Sequence, residues 1–205
     1  ENDIVAVGAH EDDVLFSGSN RSNAGSVTLF KVDGTGNISR TATLTAPSPN
    51  SYDYFGSAIS MAGNFLAVGE YSRYNVYSEA GRVYLYKVNA NGTTLLTATI
   101  NSPNPSSSGY FGYSVDLSGD RLVVGAFNEN SEIASNSGSA YIYKVKPDGS
   151  VSLLEVLTHP SAKSSDRMGI SVGTSGRFTI VGADNFDPPP DKWNAGGAVL
   201  FRSSF

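Results

Sequence analysis

The chain contains no cysteine. No disulfide holds it together, which excludes the stapled extracellular modules of animals and fits cytosolic and bacterial surface proteins alike. Basic residues are few: 14 Lys and Arg stand against 19 Asp and Glu, for a net charge of -5. That balance argues against nucleic acid and against anionic membranes, both of which attract basic patches. Long hydrophobic runs are missing too. The longest are about five residues, too short to span a bilayer as a helix. No stretch of 11 residues or more carries helical periodicity. Histidine is scarce at two residues. No serine-nucleophile motif, zinc spacing or phosphate-cradling glycine loop is present.

What the chain has is repetition. "VYLYKVNANG" (Val83–Gly92) returns as "AYIYKVKPDG" (Ala140–Gly149), 57 positions on. The fuller set is "AGSVTLFKV" from Ala24, "AGRVYLYKV" from Ala80, "SGSAYIYKV" from Ser137 and "GGAVLFRSS" from Gly196. Aligning the second glycine of each gives Gly25, Gly81, Gly138 and Gly197, with spacings of 56, 57 and 59. Such a period marks a repeat architecture. Other segments repeat in phase: "DIVAVGA", "NFLAVGE", "DRLVVGA" and "RFTIVGA"; then "YFGSAISMAG", "YFGYSVDLSG" and "RMGISVGTSG"; then "SRTATLTAP", "TTLLTATIN" and "VSLLEVLTH". Each is short, rich in β-branched and aromatic residues, and bounded by turn formers, as strands are. "VTLFKV" and "VYLYKV" alternate between faces, whereas "LAVG" and "LVVG" are apolar on both, as in strands covered on two sides. Four antiparallel strands per repeat predict an all-β fold, a β-propeller of four-stranded blades.

These residues resemble the FG-GAP repeat, the unit of the integrin alpha-chain propeller and of many bacterial surface proteins. The Phe-Gly is Phe55-Gly56 and Phe111-Gly112, replaced by Met168-Gly169 in the third copy. The Gly-Ala-Pro element is Gly8-Ala9, Gly69-Glu70, Gly125-Ala126 and Gly182-Ala183, without its proline. The resemblance covers essentially the whole chain. It implies that Phe-Gly opens the innermost strand and that Gly-Ala closes the second. Integrin propellers hold Ca²⁺ between strands one and two; here those loops are "MAGN", "LSGD" and "TSGR", with too few oxygens for the ion. One propeller region is expected over 1–205, with blades at about 1–49, 50–105, 106–163 and 164–205. Fourteen strands are expected, the first blade lacking its inner strand and the last its outer one. An excerpt of a larger propeller is the first reading, with a ring completed by several copies second and a free four-bladed ring third.

The loops between strands two and three are long and differ in chemistry, while the strands repeat: a scaffold displaying diversified loops. Their acidic and amide residues, Asp12, Asp13, Asn128, Glu132, Asp184, Asp187 and Asp191, are candidate Ca²⁺ ligands, with turn capping as the competing explanation. Asp12, Asp13, Asp184 and Asp187 are the first choices; otherwise no cofactor is expected. Tyr71, Arg73, Tyr74, Tyr77, Phe127 and Trp193 are candidate contacts for a protein or glycan. The resulting expectation is a non-enzymatic module of the cell surface or exterior, integrin-like, used in adhesion or recognition. The competing expectations are a polysaccharide-acting enzyme using His10, His159, Arg73 and Tyr74, and a purely structural subunit of a surface assembly.

Overall fold

The computed structural model describes residues 3–71, 81–186 and 195–203. Sixteen strands and no helix form among the described residues. Blade I holds β1 (Ile4–Ala9), β4 (Ser26–Val32) and β5 (Ile38–Leu44), with the hairpin β2 (Val14–Phe16) and β3 (Ser19–Arg21) inserted. Blade II runs β6 (Phe55–Ala62), β7 (Phe65–Glu70), β8 (Arg82–Val88) and β9 (Thr94–Asn101). Blade III runs β10 (Phe111–Ser118), β11 (Arg121–Ala126), β12 (Ser139–Val145) and β13 (Val151–Leu157). Blade IV holds β14 (Met168–Ser175), β15 (Phe178–Ala183) and β16 (Gly197–Arg202). Every paired strand is antiparallel to its neighbour, in the serial order of a propeller blade.

Two expectations need correction. The first long loop contains a hairpin, so the described strands number sixteen rather than fourteen. Its strands have three residues each, too short to register as a period. They meet at Ser17-Gly18, both with positive φ (50° and 78°), the conformation a two-residue hairpin turn favours. The second correction is register. Gly8 pairs with Val27, Gly69 with Val83, Gly125 with Ala140 and Gly182 with Ala198. Gly196, not Gly197, is therefore the partner of Gly25, Gly81 and Gly138. It shares their positive φ, 72° beside 86°, 92° and 78°. Two adjacent glycines look alike in a sequence, and only strand pairing separates them.

Three apolar clusters form the core, one between each pair of successive blades. The inner strands β6, β10 and β14 lie beside one another. The Phe-Gly and Gly-Ala elements are two halves of one contact. A Cβ on Gly8 would lie 2.2 Å from the carbonyl oxygen of Gly56; on Gly69, 2.1 Å from that of Gly112; on Gly125, 2.1 Å from that of Gly169. Glycine stands at both positions because the backbones of adjacent blades touch there. β7 is buried along nearly all its length and β11 throughout, as strands covered on both faces must be. The loops joining strands one and two are two-residue turns at Gly63-Asn64, Gly119-Asp120 and Gly176-Arg177.

Asp116 pins three blades together. Its Oδ1 accepts from Ser60 Oγ of β6 at 3.1 Å, and its Oδ2 from the Thr174 amide of β14 at 2.6 Å. Ser60 Oγ in turn accepts from the Leu117 amide at 2.9 Å. Asp116→Ala strands the Thr174 amide and removes two charge-assisted bonds. It is expected to cost about 2 kcal/mol, read from the urea midpoint, with Asp116→Asn costing less. Equal stability of the alanine variant and the native chain would show that the pin contributes nothing.

Candidate functional site

The site grows out of two in-phase positions. One is the residue before Phe-Gly: Tyr54, Tyr110 and Arg167. All three have left-handed backbone, with φ of 56°, 56° and 60°. Bulky side chains rarely adopt it, and such strain persists only where the surroundings enforce it. The other position follows the Gly-Ala element: His10, Tyr71, Phe127 and Asp184. The two positions interleave across the blades. Tyr54 stacks on Tyr71 with centroids 5.0 Å apart and planes 7° from parallel. Tyr110 stacks on Phe127 at 5.0 Å and 13°. Arg167 pairs with Asp184 at 3.0 Å.

Between blades the run continues. His10 lies 6.0 Å from Tyr54, and Tyr71 lies 6.0 Å from Tyr110. The guanidinium of Arg167 sits 4.7 Å over the Phe127 ring, a cation–π contact. One uninterrupted ladder thus runs from His10 through Tyr54, Tyr71, Tyr110, Phe127 and Arg167 to Asp184. Tyr113 joins it from the side, 4.6 Å from Phe127 and 5.2 Å from Tyr71. The ladder walls a cleft of about 520 Å³, completed by Glu11 and Asn128. Four tyrosines, a phenylalanine, an amide, a carboxylate and a guanidinium thus line the cleft. A second cleft of about 550 Å³ lies at blade III, lined by Asn104, Glu132, Ile133 and His159 among others.

Of the expected contact residues, Tyr71 and Phe127 are in the ladder. Tyr71 is half-buried and Phe127 buried, so both pack over the blade tops. Arg73, Tyr74, Tyr77 and Trp193 lie outside the described residues. Tyr54, Tyr110, Tyr113 and Arg167 belong to the site, although the sequence shows them only within strand segments. For Tyr54 and Tyr110 the one signal is an aromatic before Phe-Gly in two copies; Tyr113 and Arg167 carry none. The two histidines are not brought together: His10 packs on Tyr54, and His159 lies 4.7 Å from Phe186 in the other cleft.

The expected calcium ligands are engaged with neighbouring side chains and backbone. Asp12 accepts from Ser26 Oγ at 2.5 Å. Asp13 accepts from the Asn20 side chain at 3.0 Å and the Asn23 amide at 2.9 Å, capping the inserted hairpin. Those bonds hold its carboxyl below the usual range. Asp184 holds Arg167. Asp187 and Asp191 lie outside the described residues. Among the described residues no three His, Cys, Asp or Glu side chains gather as a metal cluster. Among the described residues, Asp12, Asp13 and Asp184 do not converge on a shared point as the six to eight oxygens around Ca²⁺ must.

Two of the buried carboxylates, Glu70 and Glu129, carry raised pKa values that no sequence pattern marks. Glu70 stands where the other copies have alanine. It accepts from Tyr84 at 3.3 Å and faces Arg82 Nε at 3.2 Å. Burial pushes its pKa up to about 8. Glu129 is fully enclosed, accepts from Ser102 and Tyr141, and is pushed up to about 7 by burial. Tyr84 and Tyr141 are in-phase residues of the third strand. Tyr84 donates to Glu70 at the end of β7, and Tyr141 to Glu129 in the loop after β11.

The FG-GAP repeat family model matches residues 38–86 and again 95–143, the second match starting 57 residues after the first. The chain carries two FG-GAP repeats. Among curated proteins no sequence match is found. Solved structures share the fold. A protein from Lactobacillus plantarum is 17% identical, with 98% of this chain and 53% of that chain covered and a TM-score of 0.53. Sqt1 from Chaetomium thermophilum is 13% identical, with 89% and 39% covered and a TM-score of 0.51. A periplasmic gluconolactonase of Pseudomonas aeruginosa is 16% identical, with 77% and 43% covered and a TM-score of 0.49. The FG-GAP chain spans about half of these structures or less. At such identities the likeness of the first two is one of fold. The family's Phe-Gly opens β6 and β10, Met168-Gly169 opens β14, and the Gly-Ala element closes β1, β11 and β15.

Proposed function

We propose that this FG-GAP chain is a non-enzymatic binding module of the cell exterior or surface. It takes a protein or glycan partner on the face that carries the loops between strands two and three. The observation behind this reading is the ladder-walled cleft, which gathers Tyr hydroxyls, Asn128, Glu11 and Arg167 from blades I to IV on that face. Such clefts bind by a few convergent polar groups on a preformed wall. Adhesion is the use that fits a fixed scaffold with diversified loops. Tyr113 is 37% exposed and is the clean residue to vary, since Tyr71 packs on three other rings.

The labelled chain is to be screened on a glycan array and on intact bacterial cells. Tyr113→Ser together with Asn128→Ala is expected to weaken the best hit by about 2 kcal/mol while the fold is kept, with a modest fall in melting temperature from the lost ring contacts to Phe127 and Tyr71 and the lost bond to the Ser108 carbonyl. Unchanged binding by the double variant would remove this cleft from the reading. Turnover of a polysaccharide that disappears in His10→Ala or His159→Ala would replace the binding module with an enzyme.

A further inference from the structure

We propose that the rim of the seam between blades II and III holds a second binding site, for an extended peptide segment that carries an apolar side chain beside a lysine or arginine. The site is the cleft of about 550 Å³ at blade III. It shares no lining residue with the ladder cleft. Tyr141 and Val156, cross-strand partners in β12 and β13, line it from blade III. Pro103 and Asn104, which follow β9, line it from the side of blade II. Tyr141 belongs to the apolar cluster shared with blade II, so the cleft lies at an internal seam.

The walls are fixed before any ligand arrives. Ser102, just after β9, donates to the enclosed Glu129 in the loop after β11, and Tyr141 donates to the same carboxylate. Asn104 Nδ2 donates to the Asn130 carbonyl at 3.0 Å. Within the loop, the Asn136 amide donates to Asn130 Oδ1 at 2.8 Å and the Ser131 amide to the Ala134 carbonyl at 3.0 Å. This bonding holds a loop whose Glu132 and Ile133 point to no internal use: both line the cleft and are exposed, Ile133 by 63%. A loop already ordered loses little freedom when it binds.

The lining sets the chemistry of the occupant. Val156 holds the register position of Thr43 in blade I and Thr99 in blade II. All three are exposed, yet blade III places an aliphatic side chain there, in one cleft with Ile133 and Pro103. Apolar groups gathered on a surface mark a contact. Glu132 is the one Asp, Glu, Lys or Arg of the lining, and it has no ion-pair partner among the described residues. An unpaired carboxylate beside apolar walls favours a cationic partner. His159 Nδ1 accepts from the Ser161 amide at 3.1 Å, so the neutral ring keeps its proton on Nε2 as a donor. β13 is the outer strand of its sheet, paired only with β12 among the described residues, and its main chain is open to an added strand. Aliphatic walls, amide and imidazole donors and one carboxylate together match a peptide main chain with an apolar and a basic side chain. An anion would face Glu132 unmatched.

The test selects a randomised heptapeptide library displayed on phage against the immobilised chain, then measures the enriched peptides, made synthetically, by fluorescence anisotropy. Enriched sequences are expected to combine an aliphatic residue with Lys or Arg. Ile133→Asp and Glu132→Lys should each weaken their binding by at least about tenfold. Val156→Thr, which installs the residue of the other blades, should weaken it by about threefold. These side chains are exposed, so each variant should melt within about two degrees of the native chain. Four results would overturn the proposal: no enrichment above a blank surface, enriched peptides without a basic residue, binding indifferent to Ile133→Asp, or binding lost instead in the Tyr113→Ser, Asn128→Ala variant. The last would give the peptide to the ladder cleft.

Discussion

Gly125→Ala is expected to cost about 3 kcal/mol or more, or to prevent folding. The new methyl would stand 2.1 Å from the Gly169 carbonyl oxygen and 2.3 Å from Ser114 Oγ. The serine can rotate away. The carbonyl cannot, because Met168-Gly169 is anchored to blade III through Ser137 on one side and Ser114 on the other. Relief therefore requires the two blades to separate, which opens the apolar cluster between them. Gly69→Ala should behave alike against Gly112. Gly34→Ala is the control, with nothing within 4 Å of its added methyl. Urea denaturation of the three variants decides the matter. A Gly125→Ala protein as stable as Gly34→Ala would mean that the seam tolerates separation and that the glycine is not required by contact.

Stability should fall as pH rises from about 5 to about 7.5, and Glu129 should account for much of the fall. Its carboxyl is fully enclosed with Ser102 and Tyr141, and burial raises its pKa from 4.5 to about 7. A raised carboxyl pKa favours the protonated form in the native state. Its contribution is complete below the unfolded value and is lost as pH climbs from there to the folded value. The interval corresponds to about 3 kcal/mol. Glu70 acts in the same direction, with the ion pair to Arg82 opposing it. The window stays clear of Asp13 and Asp33, whose pKa values are lowered by turn hydrogen bonds and which act only in acid. Glu129→Gln keeps the side-chain shape without the titration, at the cost of one of the two acceptors. Its stability relative to the native chain should improve by about 2 kcal/mol between pH 5 and pH 7.5. A difference that stays constant with pH would mean that the enclosed carboxyl does not titrate in this range.

The repeat was open to view in the sequence. Its period, the strand character of each segment, the all-β class and the order of strands within a blade all follow from local composition. Alternation and turn residues are properties of neighbours along the chain. The blade count followed too, and so did the place of the variable loops. Other features depended on which residues meet across blades. The choice of Gly196 over Gly197 needed the pairing of β15 with β16. The inserted hairpin needed Val14 and Arg21 to meet, and its strands are too short to show a period. The Phe-Gly and Gly-Ala motifs were visible as motifs, but nothing local says that each is the other's contact. Tyr54, Tyr110 and Arg167 were legible as residues preceding Phe-Gly. Their joining with Tyr71, Phe127 and Asp184 into one ladder comes from the stacking of whole blades, which places residues tens of positions apart at ring-contact distance. Glu70 and Glu129 show the limit most plainly. A carboxylate at a strand end or in a loop looks solvated in any sequence, and only enclosure by neighbouring strands removes its water and raises its pKa.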